Sequence, residues 1–332
     1  MQCVVSEYCY SDWSSVLSGV PQGSVLGPIL FIVYIGNVGE ICSDNVTHCL
    51  YADDLKLYST IKSDRDNASL QTALDRLEIW CREWQLSINI NKCHVLHIGR
   101  KNKFNFAYFL NGCQINDADV VTDLGVIMDP LLKYDAHINK LVSKGYSRVG
   151  LLFKGFASRS PRVLRQAYVT YIRPVLEYAS SVWSPHLKKH INAIERVQKH
   201  FTKRIKSLSH LSYTERLLAL DIEPLELRRL KADLVLYYKM FNNLIALSST
   251  EYFYHSEAVY QTRSGGNRIN MPLCHNNCFE NDFFNRCIAC WNSLSSSTVN
   301  AASIRLFKIL LASNDLSQYC IAIIFNIDFN VF

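Results

Sequence analysis

The chain has 332 residues, 49% of them hydrophobic, with 35 Lys and Arg against 29 Asp and Glu and a formal net charge of +6. Ordinary charge content and few Gly and Pro residues, 13 and 8, exclude a disordered, collagenous or low-complexity protein, and the length suggests about two domains. No run approaches the ~20 apolar residues that a membrane-spanning helix takes, and the first residues, with Glu7 and Asp12 and no basic stretch, are not those of a signal peptide.

In chain order, residues 3–99 read as mixed α/β. Cys3 to Val5 is a short β-prone run, and Leu26 to Val38 is apolar without a clear period. Asn45 to Leu57 holds two apolar-rich stretches flanking Tyr51-Ala52-Asp53-Asp54, the pattern of a hairpin with a polar apex. Residues 68–85 predict a helix, because Leu70, Leu74, Leu77, Cys81 and Trp84 recur at steps of three and four. An extended segment follows over 85–99, and Asn111-Gly112 is a two-residue hairpin turn. After Pro130 helices are expected over about 134–156, 161–178, 187–208, 213–220 and 224–245, with Pro161 and Pro224 at first-turn positions. Residues 246–270, rich in Ser, Thr, Asn and Gly, read as a linker or loop, followed by a helix-like segment over about 280–295 and a weak apolar tail. The expected division is 1–130, 131–247 and 248–332.

Twelve cysteines without regular pairing spacing read as reduced thiols of an intracellular protein, in cytoplasm or nucleus. The spacing Cys274-His275-x-x-Cys278 and Cys287-x-x-Cys290 raises a zinc site, but small apolar cysteines one helical turn apart beside Ile288 and Trp291 suit a core better. Asp53 and Asp54 are either an ordinary solvated turn or the ligands of a hard cation such as Mg²⁺, which takes carboxylate and phosphate oxygens. Two carboxylates do not complete a two-metal site; a third acid is required. Upstream, Ser18-Gly19-Val20-Pro21-Gln22-Gly23-Ser24-Val25-Leu26-Gly27-Pro28 places three glycines within nine residues, which lets backbone approach a ligand closely.

SGVPQGSVLGPILF followed some two dozen residues later by YADD resembles the motif pair of the reverse transcriptases of non-LTR retrotransposons, of the jockey-like kind. The resemblance continues through Trp84-Gln85-Leu86 with Asn89 and Lys92, Asp123-Leu124-Gly125-Val126 with His137, Tyr171 to Tyr178 with Trp183, Leu227-Arg228-Arg229, and Phe283 to Arg286 with Trp291 to Leu294. It implies an α/β (α+β) fold: a right-hand polymerase palm remnant, then a helical thumb and a C-terminal helical region. It further implies an RNA-directed DNA polymerase that adds deoxynucleoside triphosphates to a DNA primer on an RNA template with two Mg²⁺ ions. Asp53 and Asp54 would be the catalytic metal ligands, with Lys92 beside the triphosphate. Gln22, Gly23, Tyr51 and Ala52 would line the substrate and template.

Two departures bear on activity. The family carries a further catalytic aspartate well upstream of the Gly-rich string, whereas 17 residues precede Ser18 and only Glu7 and Asp12 among them are acidic. Ile35-Gly36-Asn37 stands where the family usually shows Ile-Asn-Asp. The expectation is a fragment, from an internal start or a truncated gene, that is inactive alone. The alternative is a non-catalytic remnant that binds RNA or DNA through the helix over 187–208. There Lys188, Lys189, Arg196, Lys199, Lys203, Arg204 and Lys206 face a single acid, Glu195, and Lys199, Lys203 and Arg204 are the expected phosphate contacts.

Overall fold

The computed structural model describes residues 1, 3–7, 9–15, 19, 23–43, 45–99, 106–253, 268–274 and 277–321. It is mixed helix and sheet, and the chain divides into two compact units, Met1–Asp119 and Val120–Phe332.

In the first unit a short hairpin, β1 (Val5–Ser6) with β2 (Cys9–Tyr10), precedes α1 (Gly27–Tyr34). The Ser24 hydroxyl accepts the Gly27 N–H at 3.0 Å and Pro28 occupies the first turn, which together start a helix that a nearly all-apolar string could not announce by periodicity. After a 3₁₀ turn at Val38–Ile41 come β3 (Thr47–Tyr51) and β4 (Asp54–Tyr58), paired antiparallel from Thr47 opposite Tyr58 to Tyr51 opposite Asp54.

The helix α2 (Asp64–Glu83) begins four residues before the expected start at 68, because Ser63 and Asp66 form a capping box. It ends where Gln85 turns left-handed, φ 53°. Its apolar residues serve two small cores. Leu77 and Cys81 join Val38 and Ile41, with Leu55 and Leu57 of β4 against them. Leu70 and Leu74 lie against Tyr108, Leu110 and Ile115. Its polar residues fasten the hairpin of β6 (Phe109–Leu110) and β7 (Cys113–Gln114), whose turn is the expected Asn111-Gly112. The Tyr108 hydroxyl donates to buried Asn67 at 2.9 Å, the Gln71 amide bonds both backbone groups of Phe109 at 2.9 Å, and the Asn111 N–H donates to Glu78 at 3.0 Å. β5 (His94–Val95) pairs in parallel with β8 (Asn116–Asp117).

The second unit opens with a hairpin, β9 (Val121–Asp123) and β10 (Val126–Met128), and is otherwise helical. Its first helices are α3 (Asp135–Gly155), α4 (Pro161–Tyr171), α5 (Arg173–Glu177), α6 (Ser180–Trp183), α7 (Lys188–Lys203), α8 (Tyr213–Leu220) and α9 (Leu225–Phe241). The expected 161–178 helix is broken at Ile172, since Pro174 lacks an N–H and its ring crowds the preceding turn. One core gathers Ile138, Val149, Leu164, Tyr168, Leu176, Trp183, Val197 and Phe201. At its centre α3 crosses close to its neighbours because residue 145 is glycine: a Cβ there would lie 3.0 Å from both Leu176 and Val197. Gly145→Ala is therefore expected to cost about 1–3 kcal/mol through overpacking, read as a lower urea midpoint with an unchanged slope.

The C-terminal helices are α10 (Ser249–Tyr252), α11 (Asn277–Glu280), α12 (Phe283–Arg286), α13 (Ile288–Ser293), α14 (Ser296–Val299) and α15 (Ile304–Ala312). They share a second core with the later half of α9, where Leu234, Tyr237, Tyr238 and Met240 meet Trp291, Phe307 and Leu311. The helix expected over 280–295 is interrupted because Asp282 caps a new start at Phe283. The expected weak tail instead contains α15, capped by Ser303 and burying Phe307 and Leu311 one turn apart. The Ser264-Gly265-Gly266 loop and the end of the tail lie outside the described residues.

Candidate active site

The site is built on β3 and β4. Directly opposed residues of an antiparallel pair share a face, so the alternation places Leu55 and Leu57 toward the first small core and Asp54, Lys56 and Tyr58 on the outer face with Tyr51 and Cys49. Two residues, Ala52 and Asp53, make the turn, and Ala52 takes the left-handed conformation at φ 50°. Asp53 thus stands at the tip and Asp54 at the first pair of the ladder, and both are exposed, as are Tyr51 and Ala52. At the open end the Ser59 hydroxyl donates to the Asn45 carbonyl at 2.7 Å.

The hairpin rests on a support that the linear motifs do not announce. Gly39 lies under the ring of His48, where a Cβ would fall 2.5 Å from the nearest ring atom, so any other residue would push the ring of β3 away. Asn37 accepts the Trp80 indole N–H at 3.1 Å, and Trp80 stacks on Trp84 with centroids 5.7 Å apart. The Tyr34 hydroxyl donates to the Trp84 carbonyl. The Ile35-Gly36-Asn37 string, which departs from the resembled family, therefore retains a polar anchor at its third position. The apolar neighbours of Asn37 and Trp80 gave that pairing no linear signal.

Of the other expected site residues, Gly23 and Lys92 are among those described. Gly23 is exposed at φ 81°, with nothing within 4 Å of where a Cβ would stand, and Gln22 lies outside the described residues. Lys92 closes an exposed 3₁₀ turn, Ile90–Lys92, and no ion pair joins it to Asp53 or Asp54 among the described residues. Nor do the described residues hold any group of three His, Cys, Asp or Glu side chains able to cradle a metal ion. The aspartates supply oxygen donors of the kind Mg²⁺ takes, but two carboxylates fall short of a two-metal site. The cysteine pair reads as core: Cys287 and Cys290 are buried, and burial pushes the Cys290 thiol up to about 12, away from the thiolate that zinc requires. His275 lies outside the described residues.

On α7 the structure separates the basic residues by what they touch. Lys199 lies over the Tyr213 ring, 4.9 Å from its centroid, and Arg204 over Phe153 at 4.3 Å. Lys203 donates to the Ser209 carbonyl at 2.8 Å while remaining exposed. Lys189, Arg196 and Lys203 repeat every seven residues along the outward face, a stripe about 21 Å long at 1.5 Å per residue. Arg196, at its middle, makes no ion pair among the described residues. Glu195 does not oppose this stripe, because it is 5% exposed and faces the interior.

Residues 5–128 match the family described as reverse transcriptase (RNA-dependent DNA polymerase). The chain is 29% identical over 205 residues to the RNA-directed DNA polymerase from mobile element jockey of Drosophila melanogaster, a match covering 59% of this chain and 22% of that protein. It is 28% identical over 213 residues to the jockey polymerase of Drosophila funebris, covering 61% and 23%. With the probable RNA-directed DNA polymerase from transposon BS of Drosophila melanogaster it shares 27% identity over 213 residues, covering 59% and 23%. The matched stretches thus span less than a quarter of the length of these relatives. No solved structure matches the chain.

Proposed function

We propose, from the premise that this chain carries a reverse transcriptase domain similar to those of non-LTR, LINE-type retrotransposon RNA-directed DNA polymerases, that the β3–β4 hairpin is the catalytic hairpin of a polymerase palm. The observation that carries this reading is the two-residue turn, which sets Asp53 and Asp54 side by side and exposed on a strand pair anchored to a core. Divalent metal would supply the charge that activates a primer 3′-hydroxyl and stabilises the leaving pyrophosphate. In this chain Asp53 and Asp54 would hold it, Tyr51 and Ala52 would border the primer end, and Gly23 would leave backbone room near the base pair. The helical unit, with α7 outermost in charge, would serve as the thumb on an RNA template and DNA primer, in cytoplasm or nucleus.

A second reading has its own support. With no third metal-binding group among the described residues and a basic stripe on α7, the chain would bind nucleic acid without extending a primer. Both readings meet in one experiment on the purified chain with RNA template, DNA primer, Mg²⁺ and all four nucleotides. No extension is expected above an Asp53→Asn, Asp54→Asn control, together with binding that weakens as salt rises. Arg196→Ala with Lys189→Ala should reduce the slope of log affinity against log salt by about 1 for each phosphate no longer neutralised. Extension above the control would establish a complete polymerase site. Binding indifferent to salt and to both substitutions would remove the thumb assignment.

A further inference from the structure

We propose that Ser160 is the acceptor of a proline-directed protein kinase, and that its phosphate, held by Arg162 at the start of α4, weakens the binding of nucleic acid to the helical unit. The chain has two Ser-Pro dipeptides, Ser160-Pro161 and Ser184-Pro185, and no Thr-Pro. Ser184 is half-buried at the end of α6. Ser160 is exposed and closes the connector 156–160, which belongs to no helix and whose last four residues are all exposed. Its backbone is already extended, φ −60° and ψ 130°. A kinase takes its acceptor in an extended chain, and a proline after the acceptor brings no N–H to be desolvated without a partner. The first intrahelical bond of α4 runs from the Leu164 N–H to the Ser160 carbonyl at 3.0 Å, so only this terminal turn has to fray.

The hydroxyl is uncommitted in the folded chain. Ser212, Ser295 and Ser303 each accept an N–H of the helix they precede, whereas Ser160, in the same position before α4, makes no such bond. In the transfer, the Ser160 Oγ bonds the γ-phosphorus of ATP held by the kinase. The bond from that phosphorus to the β-phosphate oxygen breaks, ADP leaves, and the hydroxyl proton passes to a carboxylate of the kinase.

The product has a place to sit. Phosphate near a helix N-terminus meets the dipole and the N–H groups of the first turn. Ser160 opens on a cleft of about 430 Å³ between α4 and the end of α8, lined also by Arg162 and Arg165. Asp221, the acid on that cleft, is held by Arg165 at 2.7 Å. Arg159 is committed to the Phe153 and Phe156 carbonyls. Arg162 is exposed and makes no ion pair among the described residues, which leaves it to turn to the phosphate. From Asp135 to Glu177 the intervening chain holds eight Lys and Arg and no acid, so the new charge enters a wholly basic stretch.

The regulatory half rests on the thumb reading of α7. The Arg159 and Arg204 guanidiniums lie over the same Phe153 ring, 5.9 and 4.3 Å from its centroid, so the connector that ends in Ser160 meets the end of α7 beside Lys203. Negative charge one residue beyond Arg159 offsets cations at that end of the stripe and repels the phosphates of a bound nucleic acid.

The test treats the full chain with a proline-directed Ser/Thr kinase and Mg-ATP and maps the phosphate by fragment mass spectrometry. One phosphate on Ser160 is expected, lost in Ser160→Ala and kept in Ser184→Ala. Phosphorus NMR reads its capture: the second ionisation, about 6 for free phosphoserine, should lie lower in the folded chain than in urea and return toward the urea value in Arg162→Ala. On an RNA–DNA hybrid the phosphorylated chain should bind severalfold more weakly than the unmodified one, with a slope of log affinity against log salt shallower by about 1. No phosphate on Ser160, an ionisation unchanged by folding, or an affinity equal to that of the unmodified chain would each overturn the proposal. If the unmodified chain shows no salt-dependent binding, the thumb reading fails and the regulatory half with it, while the phosphate map and its ionisation decide the acceptor separately.

Discussion

Arg286→Ala should destabilise the helical unit by about 3–5 kcal/mol, the range for removing one partner of a buried ion pair. Asp233, on α9, is 1% exposed. Arg286, at the end of α12, donates to its Oδ2 through Nε at 3.0 Å and through a terminal nitrogen at 2.8 Å, a forked arrangement that a lysine could not copy. The same guanidinium donates to the Ser181 carbonyl at 2.8 Å, and the Ser181 hydroxyl donates to Asp233 Oδ1 at 2.7 Å. One cation therefore ties α6, α9 and the C-terminal helices. Its loss leaves a buried carboxylate facing a serine and the Cys287 thiol. The check is urea unfolding followed by circular dichroism. A loss under 1 kcal/mol would show that the C-terminal helices dock without this pair. Replacing both partners, as Arg286→Met with Asp233→Leu, should recover much of the loss, because the cost lies in the unpaired charge.

Glu195→Ala should cost about 2–4 kcal/mol, since it strands several buried donors at once. The Glu195 carboxylate accepts the Tyr213 hydroxyl and, at 2.9 Å, the Leu225 N–H that opens α9. Gln198 extends the network, accepting the Tyr168 hydroxyl at 2.6 Å and donating to the Glu223 carbonyl at 3.0 Å. Four helices, α4, α7, α8 and α9, thus meet at one polar cluster inside an apolar core. Burial, the largest influence on Glu195, raises its pKa against the opposing pull of Tyr213, Arg229, Leu225 and Lys199. A carboxyl raised on folding takes up a proton, so its contribution is greatest below the ordinary glutamate value and falls as pH rises through the folded value. Relative to Glu195→Gln, which keeps an acceptor and cannot ionise, the wild-type chain should lose stability on going from pH 4 upward. Urea midpoints of the two chains across that range give the sign. A wild-type chain that gains on Glu195→Gln as pH rises would mean that the hydrogen bonds and Arg229 outweigh burial.

The parts of this protein legible in its sequence are those decided within a few neighbouring residues. The hairpin around Ala52-Asp53 and the Asn111-Gly112 turn follow from local conformational preference, and both stand in the structure. So does the main body of α2, where apolar side chains three and four apart leave one face to bury. The Gly-rich string and Tyr51-Ala52-Asp53-Asp54 likewise carried the resemblance to reverse transcriptases, which the family match over residues 5–128 supports, because short linear motifs are read without any tertiary contact. Tertiary structure decided the rest. Lys199 and Lys203 look alike in a linear reading of α7, yet one lies over Tyr213 and the other bonds Ser209. Glu195, which reads as the acid among the cations, turns inward because Tyr213 and the start of α9 are brought to it from 18 and 30 residues away. The same holds for Asp233 and Arg286, 53 residues apart, and for Asn37 and Trp80, 43 apart. A hydrogen bond or ion pair over such separations depends on where whole helices pack, and packing is set by the summed shape of the core, to which no short stretch of sequence holds the key.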